Sequence, residues 1–579
     1  MSSVTSPPTP PRRPRARHAF AWLGLLLLAA GAQAADVRDN LRQKMTQLAT
    51  GAALVADGGP VTAKEVLPAL YEQRGYAPVW SSAAPIEELI AALQIADQNG
   101  LDPKDYRLDT AEQALRALRA GQPGTVEEQA DRDIALSDSL VRLVEHLHYG
   151  RIDPVRVYAD WSVRPQTPDP VAEVGGALQR GEVKALVERA IPTYPPYQRL
   201  VKALGQYREL AARGGWPTVA DGPTLKPGEE SPRIRQVRAR LKVTGELAAG
   251  APTSDVYDPG LVEAVKAFQA RHGLGSDGEI GRKTVVAMNV SAAQRVDQLR
   301  VNLERARWAL HALRDTYVVV DIAGYTAVFV RDGKVVWESR AQVGQPLRKT
   351  PVLQSRFTDL VFNPTWTVPP TVLDQDIIPA AKHDPEVVVK KGLRVLDRDR
   401  NELDPYEIDW SRYSGKNFPY VLRQDSGAGN SLGKVKFNFP NRHAVYMHDT
   451  PKKAYFGRAE RAFSSGCIRI DKPLELAELL LDDPKNWSRE QIEAAIAKGG
   501  TRTVMLRKQV PVLILYWTVD VDDHGRVTFK NDVYDQDRLV LNEMRKPAVF
   551  RGSIRTARGS RPPADEMPKE PTITEAHGA

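Results

Sequence analysis

The chain has 579 residues, 42% hydrophobic and 26% charged, which supplies several packed cores and is too much for one compact domain. Its formal charge of +8 is interspersed with acids rather than gathered into a stripe, which argues against nucleic acid as a partner. A single cysteine, Cys467, leaves no internal disulfide, so this thiol is buried and inert, paired with another chain, or kept because it reacts.

Arg12, Arg13, Arg15 and Arg17 precede an apolar run from Ala19 to Ala32 and the small residues of Ala32-Gln33-Ala34. That order reads as a cleavable signal peptide over 1–34 that exports the chain to the periplasm. The alternative is an inner-membrane signal anchor facing the periplasm, for which the run falls short of the roughly 20 residues a spanning helix needs. Without those four arginines the charge is about +4, which suits an anionic polymer as well as an ordinary solvated surface.

Over 36–222 apolar residues recur at helical spacing, as in Leu136, Leu140, Leu143, Val144 and Leu147, and predict a helical scaffold domain. Gly100 before Leu101-Asp102-Pro103 and Gly150 before Arg151-Ile152-Asp153-Pro154 mark helix ends. Tyr71, Tyr76 and Trp80 read as core at this spacing. The Pro- and Gly-rich stretch from Ala220 to Pro232 reads as a linker. A compact three-helix unit follows over 230–291, with Ile234, Val237 and Leu241 on one helix face and Leu261, Val265 and Phe268 on the next. Its string "LVEAVKAFQARHGLGSDGEIGRKTVVAMN" resembles the peptidoglycan-binding module of wall enzymes, and a generic spacer bundle is the alternative.

A connecting helix over 292–315 carries Leu299, Leu303 and Ala306 at helical spacing. The pattern then turns to β-branched runs such as "TYVVVDIAG" and "KVVWESRAQVG", with Asp332-Gly333 as a hairpin signal. A β-rich domain is expected over 316–508, with further strands over 509–550 around the Asp523-His524-Gly525 turn. The polar, Pro-rich residues 551–579 have no period and read as a disordered tail. The fold class is therefore multidomain α+β.

Chemistry concentrates in "NRHAVYMHDTPKKAYFGRAERAFSSGCIRI". Ala444 to His448 reads as a strand, so Tyr446 and His448 share one face. Nineteen residues later Ser464-Ser465-Gly466-Cys467 forms a turn of small residues, and Cys467 and Arg469 share a face of the strand that follows. An imidazole that takes the thiol proton makes a nucleophile, and free N–H groups around this small-residue turn, those of Gly466 and Cys467, can hold an oxyanion. Arg469 can favour thiolate or grip a substrate carboxylate, or be an ordinary surface charge. A metal site is not expected, because His443 and His448 face opposite ways on a strand and no third ligand suggests itself.

The stretch from about Tyr317 to Arg507 resembles the YkuD-type L,D-transpeptidase catalytic domain, with "VGQPLRKTP", "FNPTWTVPP", "YMHDTP" and "SSGCIR" in order. With "LYEQRGYAPVW", "NGLDPKDY" and the binding module, the chain is similar to the large multidomain Gram-negative subgroup. The resemblance implies Cys467 as nucleophile, His448 as base, Gly466 and Ser465 in the oxyanion turn, and Arg469 and Tyr446 beside the substrate. Serine at 465 departs from the histidine of many smaller members and leaves His448 as the obvious base. An insertion at about 376–430, with "LDPYEIDWSRYSGKNFPYVLRQ", resembles a capping lid. The implied activity is cross-linking of peptidoglycan stems with loss of D-alanine, without cofactor, on stem peptides and glycan, with carbapenems as inhibitors and other wall-synthesis enzymes as partners. A thiol carboxypeptidase or peptidase acting on wall peptides, and a non-catalytic wall-binding scaffold, stay open as alternatives.

Overall fold

The computed structural model describes residues 36–159, 161, 169–310, 313 and 315–552. The expected signal peptide lies outside these residues, as does the expected tail except for Arg551 and Gly552. No helix among the described residues is long and apolar enough to cross a membrane.

The helical region is organised around the long helix Val126–Tyr149. It begins at a capping box between Thr125 and Glu128 and ends at Gly150, whose φ of +86° suits the residue without a Cβ. Leu136, Leu140, Leu143, Val144 and Leu147 are all buried. One turn earlier the buried Asp133 accepts hydrogen bonds from the Tyr71 hydroxyl at 2.6 Å and from the Val79 and Trp80 amides at 2.8 and 2.7 Å. Tyr71 and Trp80 are core residues, while Tyr76 lies at the edge of that core under the guanidinium of Arg42.

The three-helix unit consists of Pro232–Thr244, Pro259–Arg271 and Arg282–Asn289, and the predicted faces meet in one core. The stretch expected to be a linker is part of this unit. Val219 and Leu225 are buried in the core, and Leu225 bridges to Ile280 in antiparallel fashion, so the Pro and Gly residues shape a packed loop.

Helix Ala292–Ala309 is a spine, buried between the scaffold helix Pro195–Ala212 and the C-terminal elements. Its charges lie inside the protein. Glu304 accepts from the Ile152 amide at 2.7 Å, Trp308 Nε1 at 3.0 Å and Arg307 at 2.8 Å, and both members of the Arg307–Glu304 pair are 0% exposed. The buried Glu304 carboxylate thus has a partner at both oxygens, which burial demands.

The β-rich region forms a nine-stranded sheet among the described residues. Each strand pairs with the next in the order Lys334–Gly344, Ile468–Ile470, Met447–His448, Val435–Asn438, Leu353–Phe362, Arg502–Leu515, Tyr317–Asp321 and Thr326–Arg331, and the last pairs back with Lys334–Gly344. The eight strands thus close into a ring, and Ala462–Ser464 adds to the end of Lys334–Gly344. Closure removes sheet edges and fills the interior with Val318, Val320, Phe329, Phe357, Phe437 and Met447. The Asp332-Gly333 turn has φ of +50° and +72°, as a tight hairpin requires.

The insertion is a small structure of its own. Trp366–Thr367, Val421–Gln424, Arg394–Leu396 and Glu402–Leu403 form a four-stranded sheet over a separate core that includes Ile377, Val388 and Trp410. It begins near Trp366, ahead of the expected 376. After Leu515 the chain makes the hairpin Val519–Val521 and Val527–Phe529, then helix Gln536–Met544. It returns to the scaffold, where the Arg551 amide donates to Glu145 and its guanidinium to the Ile152 carbonyl.

Candidate active site

Two short parallel strands bring the chemistry-bearing residues together. Met447 pairs with Ile468 and His448 with Arg469, while the Ile468 amide donates to the Tyr446 carbonyl at 3.0 Å. Met447 and Ile468 turn into the core. By the two-residue period Tyr446 and His448 emerge together on the other face, their ring centroids 5.6 Å apart, beside Cys467 and Arg469. The observed strand is shorter than the expected 444–448, because Ala444 has a φ of +51° and turns the chain.

His448 is 3% exposed. Its Nδ1–H donates to the Asp449 carbonyl at 2.5 Å, which assigns the neutral tautomer with Nε2 as the unprotonated nitrogen. Burial, with the positive charges of Arg469 and Lys436, lowers its pKa to about 3 against the pull of the Asp449 and Leu432 carbonyls. The imidazole is therefore neutral throughout the physiological range. Asp449 is itself fixed, accepting from the Lys434 amide at 2.8 Å and pairing with Lys453 at 2.7 Å.

Cys467 keeps some surface, yet the atoms packed around its sulfur desolvate it and push the thiol above its ordinary value of 9.0. Hydrogen bonds from the Tyr446 amide and hydroxyl, and the charges of Arg469 and Lys436, pull the other way. The Tyr446 hydroxyl in turn accepts from the Trp366 indole, so a chain of donors runs from the inserted sheet to the sulfur. Lys436 lies over the Tyr446 ring at 4.3 Å.

The turn before the cysteine is tied from three sides. Gly466 has a φ of +115°, a region that an L side chain rarely adopts. Its N–H donates to Ser464 Oγ at 3.1 Å, and Ser464 Oγ–H donates to the Cys467 carbonyl at 2.6 Å. The Gly466 carbonyl accepts from Thr350 Oγ1 at 2.8 Å. Tyr534 accepts from the Thr350 amide at 3.1 Å and donates to the Gly344 carbonyl at 2.5 Å. Gly466 thus supplies shape, with its amide already engaged. Ser465 is exposed and its Oγ accepts from Arg348 at 2.9 Å. That guanidinium forks onto Asp376 of the insertion at 2.6 and 2.5 Å, and its Nε meets Gln375 at 2.8 Å.

Arg469 donates to Gln342 Oε1 at 3.3 Å, and burial lowers its pKa. Among the described residues, its buried Nε meets no acceptor. A desolvated guanidinium with a spare donor beside a thiol is suited to an anion.

The arrangement as a whole offers a thiol, a neutral imidazole, an ordered turn and a cation. The sequence pattern located Cys467, His448, Tyr446, Gly466, Ser465 and Arg469, and all six lie in this one region. It did not point to Thr350, Tyr534, Trp366 or Arg348 as their supports. Thr350 and Trp366 stand inside the distinctive strings "VGQPLRKTP" and "FNPTWTVPP", the one signal available for them.

Comparison with known proteins adds three matches in chain order. Residues 65–204 match the description "Scaffold domain", residues 230–288 "Putative peptidoglycan binding domain" and residues 315–510 "L,D-transpeptidase catalytic domain". A curated protein of Haemophilus influenzae named "Putative L,D-transpeptidase" is 36% identical over 223 residues, covering 38% of this chain and 45% of that one. Among solved structures, an L,D-transpeptidase of Stackebrandtia nassauensis is 14% identical, with 52% of this chain and 96% of that chain covered at a TM-score of 0.19. One from Xylanimonas cellulosilytica is 13% identical, with 51% and 99% covered at 0.16. Both superpositions are too loose to carry an argument.

Proposed function

We propose that this chain, which carries a scaffold domain, a peptidoglycan-binding domain and an L,D-transpeptidase catalytic domain in that order, cross-links peptidoglycan stems through a thioester on Cys467. The observation that carries the reading is that Cys467 opens the strand that pairs in parallel with the strand of a buried, neutral His448, whose Nδ1–H is committed to Asp449.

His448 Nε2 takes the thiol proton as sulfur attacks the carbonyl at the L-centre of diaminopimelate in a donor tetrapeptide. The C–N bond to D-alanine breaks, the imidazolium returns the proton to the leaving amine, and the thioester is left. The amine on the side chain of a second stem's diaminopimelate then attacks that thioester, loses a proton to His448 and frees the thiol. Because the resting pair is thiol and neutral imidazole, His448 takes the proton before or as sulfur attacks. The Cys467 amide serves the developing oxyanion, with Gly466 holding it in place. Arg469 takes the stem's carboxylate through its spare donor.

The inserted sheet covers the thioester. The Arg348 fork on Asp376 holds it down, and exclusion of water favours the amine over hydrolysis. On this reading the protein works in the periplasmic wall, and Cys467 is a target for carbapenem acylation. Incubation with tetrapeptide muropeptides tests the reading. Cross-linked dimers together with free D-alanine are expected, whereas trimmed tripeptides alone at every acceptor concentration would make the protein a carboxypeptidase.

A further inference from the structure

A groove that the proposed chemistry does not use runs between the three-helix unit and the strand leading into Ser464. One wall holds Asp277, Arg282 and Lys283; the other is the segment from Arg458 to Phe463. The cavity between them is about 480 Å³, and at Lys283 and Glu460 it adjoins a second of about 490 Å³ beside the spine helix. Each alone has the size of a small-ligand site. They share Leu274, Lys283 and Glu460 in their linings, and together they suit a stretch of polymer.

The surface chemistry fits a saccharide. Phe463 is 37% exposed, its ring lies 5.4 Å from that of Tyr455, and the Arg458 guanidinium sits 5.5 Å from the one and 4.7 Å from the other. The exposed part of Phe463, with the planar fork of Arg458 lying over the rings, offers apolar contact to a sugar ring and hydrogen bonds to its hydroxyl and N-acetyl groups. The Lys283–Glu460 pair crosses the groove at 2.7 Å with side chains 73% and 49% exposed. A pair so exposed is weakly held and yields readily to a polar ligand.

Position completes the case. Strands Ala462–Ser464 and Ile468–Ile470 flank the same strand, Lys334–Gly344, on its two sides. With strands about 4.8 Å apart, the backbones that carry Phe463 and Cys467 are on the order of 10 Å from each other. The third residue of an extended peptide reaches about 10 Å from its anchor.

We infer that this groove seats the glycan backbone of peptidoglycan and presents its peptide stem to Cys467. The stem's destination rests on the transpeptidase reading; the groove's affinity for glycan does not. The full chain and the variants Phe463→Ala, Arg458→Ala and, on the opposite wall, Arg282→Glu are assayed on whole sacculi and on free tetrapeptide, and for co-sedimentation with sacculi. The ratio of activity on sacculi to that on tetrapeptide is expected to fall about ten-fold in each variant, with sedimentation falling in parallel. Equal losses on both substrates, or unchanged sedimentation, would overturn the groove. Should the unaltered chain transfer nothing from either substrate, the transpeptidase reading fails and sedimentation alone decides: release of the variants upholds the groove, and retention removes it.

Discussion

The Thr350 hydroxyl donates to the Gly466 carbonyl at 2.8 Å and so ties the turn that carries Cys467 to the loop entering strand Leu353–Phe362. Tyr534 holds Thr350 in turn, from a segment beyond the matched catalytic region. Thr350→Val removes the donor and leaves a buried carbonyl short of a partner, which costs about 1–3 kcal/mol. Since the bond acts on the geometry of attack, kcat for D-alanine release should fall about ten-fold with little change in KM. Steady-state kinetics check this, and a rise in KM at constant kcat would contradict it.

The thiol's titration gives a second handle. Burial raises Cys467 above 9.0, so its alkylation by iodoacetamide should climb with pH to a midpoint above that value. Tyr446→Phe removes a hydroxyl that donates to sulfur and should move the midpoint further up, and Arg469→Gln should act in the same direction. A midpoint near neutrality in the native protein would contradict the neutral resting pair.

The latch between Arg348 and Asp376 is a bidentate pair, with Arg348 mostly covered and Asp376 40% exposed. Asp376→Asn weakens it and should raise hydrolysis relative to transfer while speeding hydrogen exchange over 366–424. An unchanged product ratio with faster exchange would separate lid motion from water exclusion and sink the lid's proposed role.

Acid stability follows from three buried histidines. His448 titrates at about 3, and His146 and His272 are held well below their ordinary 6.5 by burial. Below about pH 6.5 the unfolded chain takes up protons there that the folded chain refuses, so stability is complete above that pH and falls as pH drops. Each histidine contributes at most about 1.4 kcal/mol per pH unit. The buried carboxyls of Asp133 and Asp537, raised by burial, act in the opposite sense, so a difference measurement is needed. His272 stacks on Phe268 at 3.8 Å, and His272→Phe should flatten the fall in thermal stability between pH 6.5 and 4. Identical slopes would contradict this.

Much of the architecture was readable from residue pattern. The apolar period gave the helix Val126–Tyr149 and the three-helix unit, and Asp332-Gly333 gave the hairpin. The alternation that put Tyr446 beside His448 survived even though Ala444 bends the strand. What escaped depends on partners distant in sequence. The burial of charge on the spine helix is one such case: Glu304 accepts from the Ile152 amide and Arg307 donates to Tyr197, both in the scaffold, which no local period reveals. Likewise the turn's small residues pointed to free N–H groups at Gly466 and Cys467, whereas Ser464 claims the Gly466 amide. Thr350 reaches that turn across 116 residues of chain.

The central claim is that Cys467 carries the donor stem as a thioester, and acid-quenched intact-mass spectrometry during turnover of tetrapeptide muropeptide tests it directly. The native chain should show an adduct equal to the donor less D-alanine, mapped to the peptide containing Cys467, and Cys467→Ala should show neither adduct nor cross-linked dimer. Dimers formed by Cys467→Ala, or an adduct mapped to any other residue, would contradict it.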